Sequence, residues 1–208
     1  MHSLDEALFA SCPTRPVPRY GTHSALVDIG HRLLVAADGL WLELRRPWLH
    51  LVWPLLQGVP VAIPYGRLQA EMAFAFSCID TTLLERFVDE SREHYPSEHA
   101  AWMVWNEQTL ALEYRVLHTT ARNTGAIAFH RPALCAHEHL CVDIHSHGQH
   151  PAFFSDQDDQ DDRGEIKLAV VIGEVTSARP SVALRLCAAG LFIDLEPSCL
   201  GVVDAQAP

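Results

Sequence analysis

Two histidines one residue apart, His145 and His147, sit in Asp143-Ile144-His145-Ser146-His147-Gly148, where the apolar run 140–144 gives way to a polar loop. A strand shows alternate side chains on one face, so both imidazoles can turn toward one point as the chain leaves its pleat. Seven residues intervene before Ser155, and two more before Asp158. Two imidazoles and one carboxylate fill three corners of a zinc tetrahedron and leave the fourth open, the arrangement of catalytic rather than structural zinc sites. The chemistry this points to is hydrolysis, because such a metal acidifies water and polarises a carbonyl.

Other groups nearby compete for the same roles. Asp156, Asp159, Asp161 and Asp162 surround Asp158, and a slip of one position would exchange Asp158 for Asp159. The register favours Asp158, and the remaining acids read as a solvated loop because packed like charges repel. Asp143 is a candidate partner that would orient a ligand imidazole from behind. His150 lines the expected cleft without an assigned role. Cys135, His137, His139 and Cys141 have suitable types, but five residues separate the cysteines, more than structural zinc pairs use. A zinc deaminase needs His-x-Glu and Pro-Cys-x-x-Cys, and neither occurs.

The elements that must position these residues follow from apolar patterning. Residues 1 to about 20, with Pro13, Pro16 and Pro18, read as an irregular lead-in. Apolar runs at 33–36, 40–44 and 49–52, broken by Asp38-Gly39 and by 45–47, predict short strands joined by turns. Trp41, Trp48 and Trp53 are expected to pack inside. A helix follows, with Thr82 and Glu85 in capping-box spacing and Leu83, Leu84, Phe87 and Val88 on one face. It must stop near Tyr95, since Pro96 disfavours helical geometry before it. Strands are expected at 100–105, 110–116, 125–129, 140–144, 168–175, 182–186 and 191–195. The fold class is therefore α/β from residue 79 onward, with a β-rich N-terminal extension, 1–78, to which the sequence assigns no chemistry.

At 208 residues the chain can bury a real core. Its formal net charge of -11 would repel a phosphate backbone, so nucleic acid is not expected as a partner. Acids stand near the start where an export signal would be basic, and no apolar run is long enough for a membrane span. A soluble, cytoplasmic protein with six reduced cysteines is the expectation.

The spacing from His145 to Asp158 resembles, position for position, the signature of the JAMM or MPN-type metalloprotease family: an upstream Glu, then His-Ser/Thr-His, seven residues, Ser, two residues, Asp. The resemblance covers about residues 79–196. It implies the MPN fold, a cytidine deaminase-like mixed sheet flanked by helices, and Zn2+ held by His145, His147 and Asp158. Ser155 inherits a contact to the metal's water or to the tetrahedral intermediate. The family Glu lies in a segment similar to Tyr-Pro-x-Glu, so Tyr95-Pro96-Ser97-Glu98 makes Glu98 the implied general base, with Glu107 and Glu113 as fallbacks. This chain has His99-Ala100-Ala101 where a Cys-Gly pair is frequent, and Gly148 where Pro often follows the second His. The N-terminal extension and the stretches 165–175 and 185–194 look like the A-type proteins of bacterial PRTRC gene clusters. Those clusters imply a ubiquitin-like protein as substrate and a ThiF-like (E1-like) activating enzyme as a further partner. The implied activity is a metallopeptidase or isopeptidase acting at the C-terminus of the ubiquitin-like protein; the alternative is a non-catalytic MPN-type interaction scaffold.

Overall fold

The computed structural model describes residues 1–123, 126–129 and 131–200, and the chain divides into two units, Met1–Ala75 and Phe76–Pro208. The first unit holds helix α1 (Ser3–Ser11) and strands β1 (Thr14–Pro16), β2 (Gly30–Ala36), β3 (Gly39–Arg46), β4 (Leu49–Gln57) and β5 (Glu71–Phe74). The strands form one sheet in chain order, antiparallel except for the pair β1–β2. Trp41 and Trp48 are buried as expected, whereas Trp53 is half-buried. Helix α1 corrects the expectation of an irregular lead-in. Its first turn carries Asp5 and Glu6 at the positive end of the helix dipole, and His2 caps Leu4. The prolines lie beyond it, and none of its side chains is buried.

The interior of this unit contains one charged group, Glu43, with no exposed surface. Its carboxylate accepts from the peptide N–H of Leu26 at 2.7 Å and from Arg32 Nε at 2.7 Å, and it meets His50 Nε2 at 3.0 Å and His23 Nε2 at 3.2 Å. Burial raises the Glu43 pKa, but these hydrogen bonds and the Arg32 charge outweigh it and leave the carboxyl below its ordinary value.

The second unit runs α2 (Thr81–His94), β6 (Ala100–Asn106), β7 (Ala111–Val116), β8 (Thr119–Asn123), β9 (Ala126–Phe129), β10 (Glu138–Ser146), α3 (Asp156–Asp162), β11 (Ile166–Gly173), β12 (Ser181–Ala188) and β13 (Leu191–Asp194). The strand expected at 125–129 is β9; Gly125 itself lies outside the described residues. Strands β8 and β9 pair with each other, and the other six form a mixed sheet in the order β13-β12-β11-β10-β6-β7. This is the α/β architecture that the sequence predicts, a mixed sheet flanked by helices behind a β-rich N-terminal region.

One pairing in that sheet decides where chemistry can sit. Strands β10 and β11 are parallel, while the remaining neighbours are antiparallel. A parallel neighbour cannot be reached by a tight turn and needs a crossover that passes over one face. Residues 147–165, with α3 in their middle, make that crossover and carry His147, Ser155 and Asp158.

Two local expectations are corrected. The α2 cap is Asp80, whose carboxylate accepts from the peptide N–H of Thr82 at 2.9 Å, so Thr82 lies within the helix. The Asp-rich stretch forms α3, and Asp162 within it is 4% exposed. Like charges are tolerated here because two cations from the sheet neutralise them: Lys167 Nζ lies 2.7 Å from Asp162, and Arg185 Nη2 lies 2.7 Å from its other oxygen. Among the described residues, no helix is long and apolar enough to cross a membrane.

Candidate metal centre

Strand periodicity sets the first candidate ligand. Along β10, Asp143 and His145 share one face while Ile144 and Ser146 point to the other. His145 therefore stands over the face that the crossover covers. His147 follows just past the strand end, its N–H bonded to the carbonyl of Ile172 at 2.9 Å. Gly148 turns the chain with φ +58, a left-handed conformation that proline cannot adopt, which accounts for the departure from Pro at this position. The loop then lies against the end of β11, where a Cβ on Gly173 would stand 2.2 Å from the backbone nitrogen of Ala152. Its backbone is fastened by Glu174 N to His150 O and by Val175 N to Gly148 O, each 2.9 Å.

The spacing of Ser155 and Asp158 has a helical cause. Ser155 is the N-cap of α3 and Asp158 its third residue, a capping box in which each side chain satisfies the other's peptide N–H. The Ser155 hydroxyl stands 2.6 Å from Asp158 Oδ2, and the Ser155 N–H donates to the same oxygen at 2.7 Å. Asp158 Oδ1 remains free to face His145 Nε2 at 3.4 Å. Helix α3 is itself held on the sheet by Asp162 and by Asp159, which pairs with Arg185.

The three side chains converge. His145 Nε2 and His147 Nε2 are 3.1 Å apart, and one donor atom from each of His145, His147 and Asp158 lies within 4.8 Å of the others. Donors bound about 2.0–2.1 Å from a tetrahedral ion stand roughly 3.3 Å apart, and the two separations from His145, 3.1 Å to His147 and 3.4 Å to Asp158, match that spacing. Burial, followed by the charge of His145, keeps the His147 imidazole below its usual pKa, although Glu98 and Asp158 pull the other way. A neutral imidazole is the form that binds metal.

Glu98 is half-buried between α2 and β6, close enough for its charge to interact with His147, Asp158 and His150. Burial raises its pKa, His147 and His150 oppose the rise, and Asp158 adds to it. Neither fallback acid is placed to replace it. Ala100 pairs with His145, so Glu107 lies about 20 Å further along β6, where it meets His139 at 2.5 Å. Glu113 pairs with Asn106 and Arg115. Asp143 does not orient an imidazole: its Oδ2 accepts from Lys167 Nζ at 2.6 Å, because Lys167 projects from the neighbouring strand on the same face. Cys141 is buried and Cys135 exposed, and their stretch forms no donor cluster among the described residues.

Residues 80–187, over half of the chain, match the family described as prokaryotic homologs of the JAB domain. The chain belongs to that family. The JAB-like match begins at the α2 cap and ends on β12, so it encloses the converging donors and Glu98. Residues 2–75 match a domain of unknown function, DUF2016. No curated protein matches the chain.

Proposed function

We propose that the JAB-like unit is a zinc metallopeptidase or isopeptidase that cleaves at the C-terminus of a ubiquitin-like protein. The observation that carries this reading is the convergence of two imidazole nitrogens and one carboxylate oxygen within 4.8 Å. A zinc held by His145, His147 and Asp158 would supply a Lewis acid that polarises the scissile carbonyl and makes water acidic enough to lose a proton near neutral pH.

The chain's own groups do the rest. Glu98, whose half-buried carboxyl is raised above its ordinary pKa, takes the proton from the attacking water and delivers it to the leaving amine. Ser155 holds Asp158 by its Oδ2; the oxyanion contact implied by the family resemblance would require its hydroxyl to turn away from that oxygen. Phe153 packs edge-on against the His147 ring, the ring centroids 4.7 Å apart. The PRTRC-like ends of the sequence support a ubiquitin-like substrate and an E1-like partner.

Metal analysis of the full chain should find about one zinc, lost in His147→Ala. A ubiquitin-like protein carrying a C-terminal fluorogenic amide should be cleaved by the zinc-loaded protein and not by Glu98→Gln. A folded chain that takes up no zinc ends this reading. A zinc-loaded chain inert toward every such probe leaves the scaffold alternative instead.

A further inference from the structure

The residue after Glu98 is engaged far more heavily than a linker position requires. His99 is 2% exposed. Its peptide N–H donates to Ser146 Oγ at 2.9 Å, and its carbonyl accepts from the Ser146 N–H at 2.9 Å. These two bonds extend the β6–β10 pairing by one residue, so His99 stands beside Ser146 as Ala100 stands beside His145. Because side chains alternate along an extended chain, His99 shares the α2 face with Ser146, and Glu98 is turned back to the face of His145.

On the α2 face the imidazole is boxed in. The Phe87 ring lies 5.2 Å from it and the His94 ring stacks at 4.7 Å. Its Nε2 is 3.0 Å from Glu90 Oε2, and a carboxylate can only accept, so the ring carries its proton there. Glu90 is fixed in turn by the Tyr114 hydroxyl at 2.6 Å and by Arg86 Nε at 2.8 Å, while the Arg86 guanidinium lies 4.3 Å over the Tyr114 ring. Burial pushes the His99 imidazole below its usual pKa, with Glu90 opposing. Nothing in this network touches His145, His147 or Asp158 through a side chain.

We propose that His99 is a positioning residue for Glu98: its imidazole, locked to Glu90 on α2, fixes the peptide that aims the Glu98 carboxylate at the metal centre. The proposal rests on the hydrolase reading for its catalytic consequence, but not for its structural one. Proton transfer depends steeply on placement, and a misplacement of about 1 Å can cost roughly a hundredfold.

The test compares the zinc-loaded full chain with His99→Ala and His99→Gln on the fluorogenic ubiquitin-like probe. Gln can still offer an amide N–H to Glu90. His99→Ala should lower kcat about tenfold to a hundredfold with KM and zinc content unchanged, and His99→Gln should recover most of the loss. A kcat that does not fall, a change in KM alone, or no recovery with Gln overturns the proposal. If the wild-type protein cleaves no probe, the hydrolase reading fails by itself, and amide hydrogen exchange decides the positioning role. Exchange at 98–100, and at the Ser146 amide that donates to the His99 carbonyl, should then quicken in His99→Ala and not in His99→Gln; unchanged exchange at 98–100 overturns it. Should His99→Ala fail to fold, Tyr114→Phe, which removes one donor from Glu90, should give a smaller drop in kcat at constant KM, and an unchanged kcat there counts against the proposal.

Discussion

Replacing Asp162 by Ala tests whether the ligand-bearing helix depends on charges buried beneath it. The carboxylate is 4% exposed and lies between Lys167 Nζ and Arg185 Nη2, each at 2.7 Å. Removing one partner of a buried ion pair costs about 3–5 kcal/mol, because the other charge is left without compensation. Lys167 keeps Asp143 at 2.6 Å and Arg185 keeps Asp159, so the lower end, about 3 kcal/mol, is expected here. For a unit of this size that corresponds to a melting temperature lower by roughly 10 °C. Asp158 lies one turn earlier on the same helix, and loss of such a support should weaken zinc binding about tenfold to a hundredfold. Calorimetry and zinc competition against a chelator measure the two effects. Asp161→Ala is the control: Asp161 is exposed on α3 and its loss should cost less than about 0.5 kcal/mol. If Asp162→Ala melts with the wild type and holds zinc as tightly, the ion network does not support the site.

Acid should act on the same group. Burial raises the Asp162 pKa, but Lys167 and Arg185 outweigh it and hold it below 3.8; stability from a depressed carboxyl is complete above its unfolded value and is lost as pH falls through the folded one. Zinc-free wild type should therefore lose stability below about pH 4 more steeply than Asp162→Asn, read from melting curves against pH. Ser155→Ala removes the α3 cap and the hydroxyl on Asp158 Oδ2; it should cost about 0.5–2 kcal/mol in metal-free protein and weaken zinc binding. Glu98→Gln should keep its zinc while losing about a hundredfold to ten-thousandfold in kcat. In the N-terminal unit, Glu43→Leu leaves Arg32, His23 and His50 without their shared acceptor, and should cost about 3–5 kcal/mol in chemical denaturation.

The convergence of the three candidate donors is legible because its geometry is local. A strand end and one crossover bring His145, His147 and Asp158 together, and their spacing is visible in the chain. The reason for part of that spacing is also in the chain: Ser155-x-x-Asp158 is a capping box, masked by an Asp-rich composition that reads as a loop. The α2 cap was displaced by two residues because Asp80 competes with Thr82, and the favourable aspartate lies where the chain enters the helix. The role of Asp143 and the burial of Asp162 were not local. The first depends on Lys167 and the second on Lys167 and Arg185, each a lone charge in its strand, and only the pairing of β11 with its two neighbours brings them under α3. A charge inside a buried run was the available signal, since it must find an opposite partner. The role of His99 is non-local in the same way: its partner Glu90 comes from the preceding helix, and Tyr114 from the far side of β6.

The division of labour within the Asp158 carboxylate would limit which ions could occupy the candidate centre. One oxygen is occupied by the serine hydroxyl and peptide N–H, so an incoming cation meets a single anionic oxygen and two ring nitrogens. Calcium, which gathers six to eight oxygens, and magnesium, which holds to an octahedron of them, are poorly served by such a set. Borderline ions that favour imidazole are served well, and copper should outrank zinc on affinity alone. Metal identity in the cell would then be decided by supply rather than by the pocket.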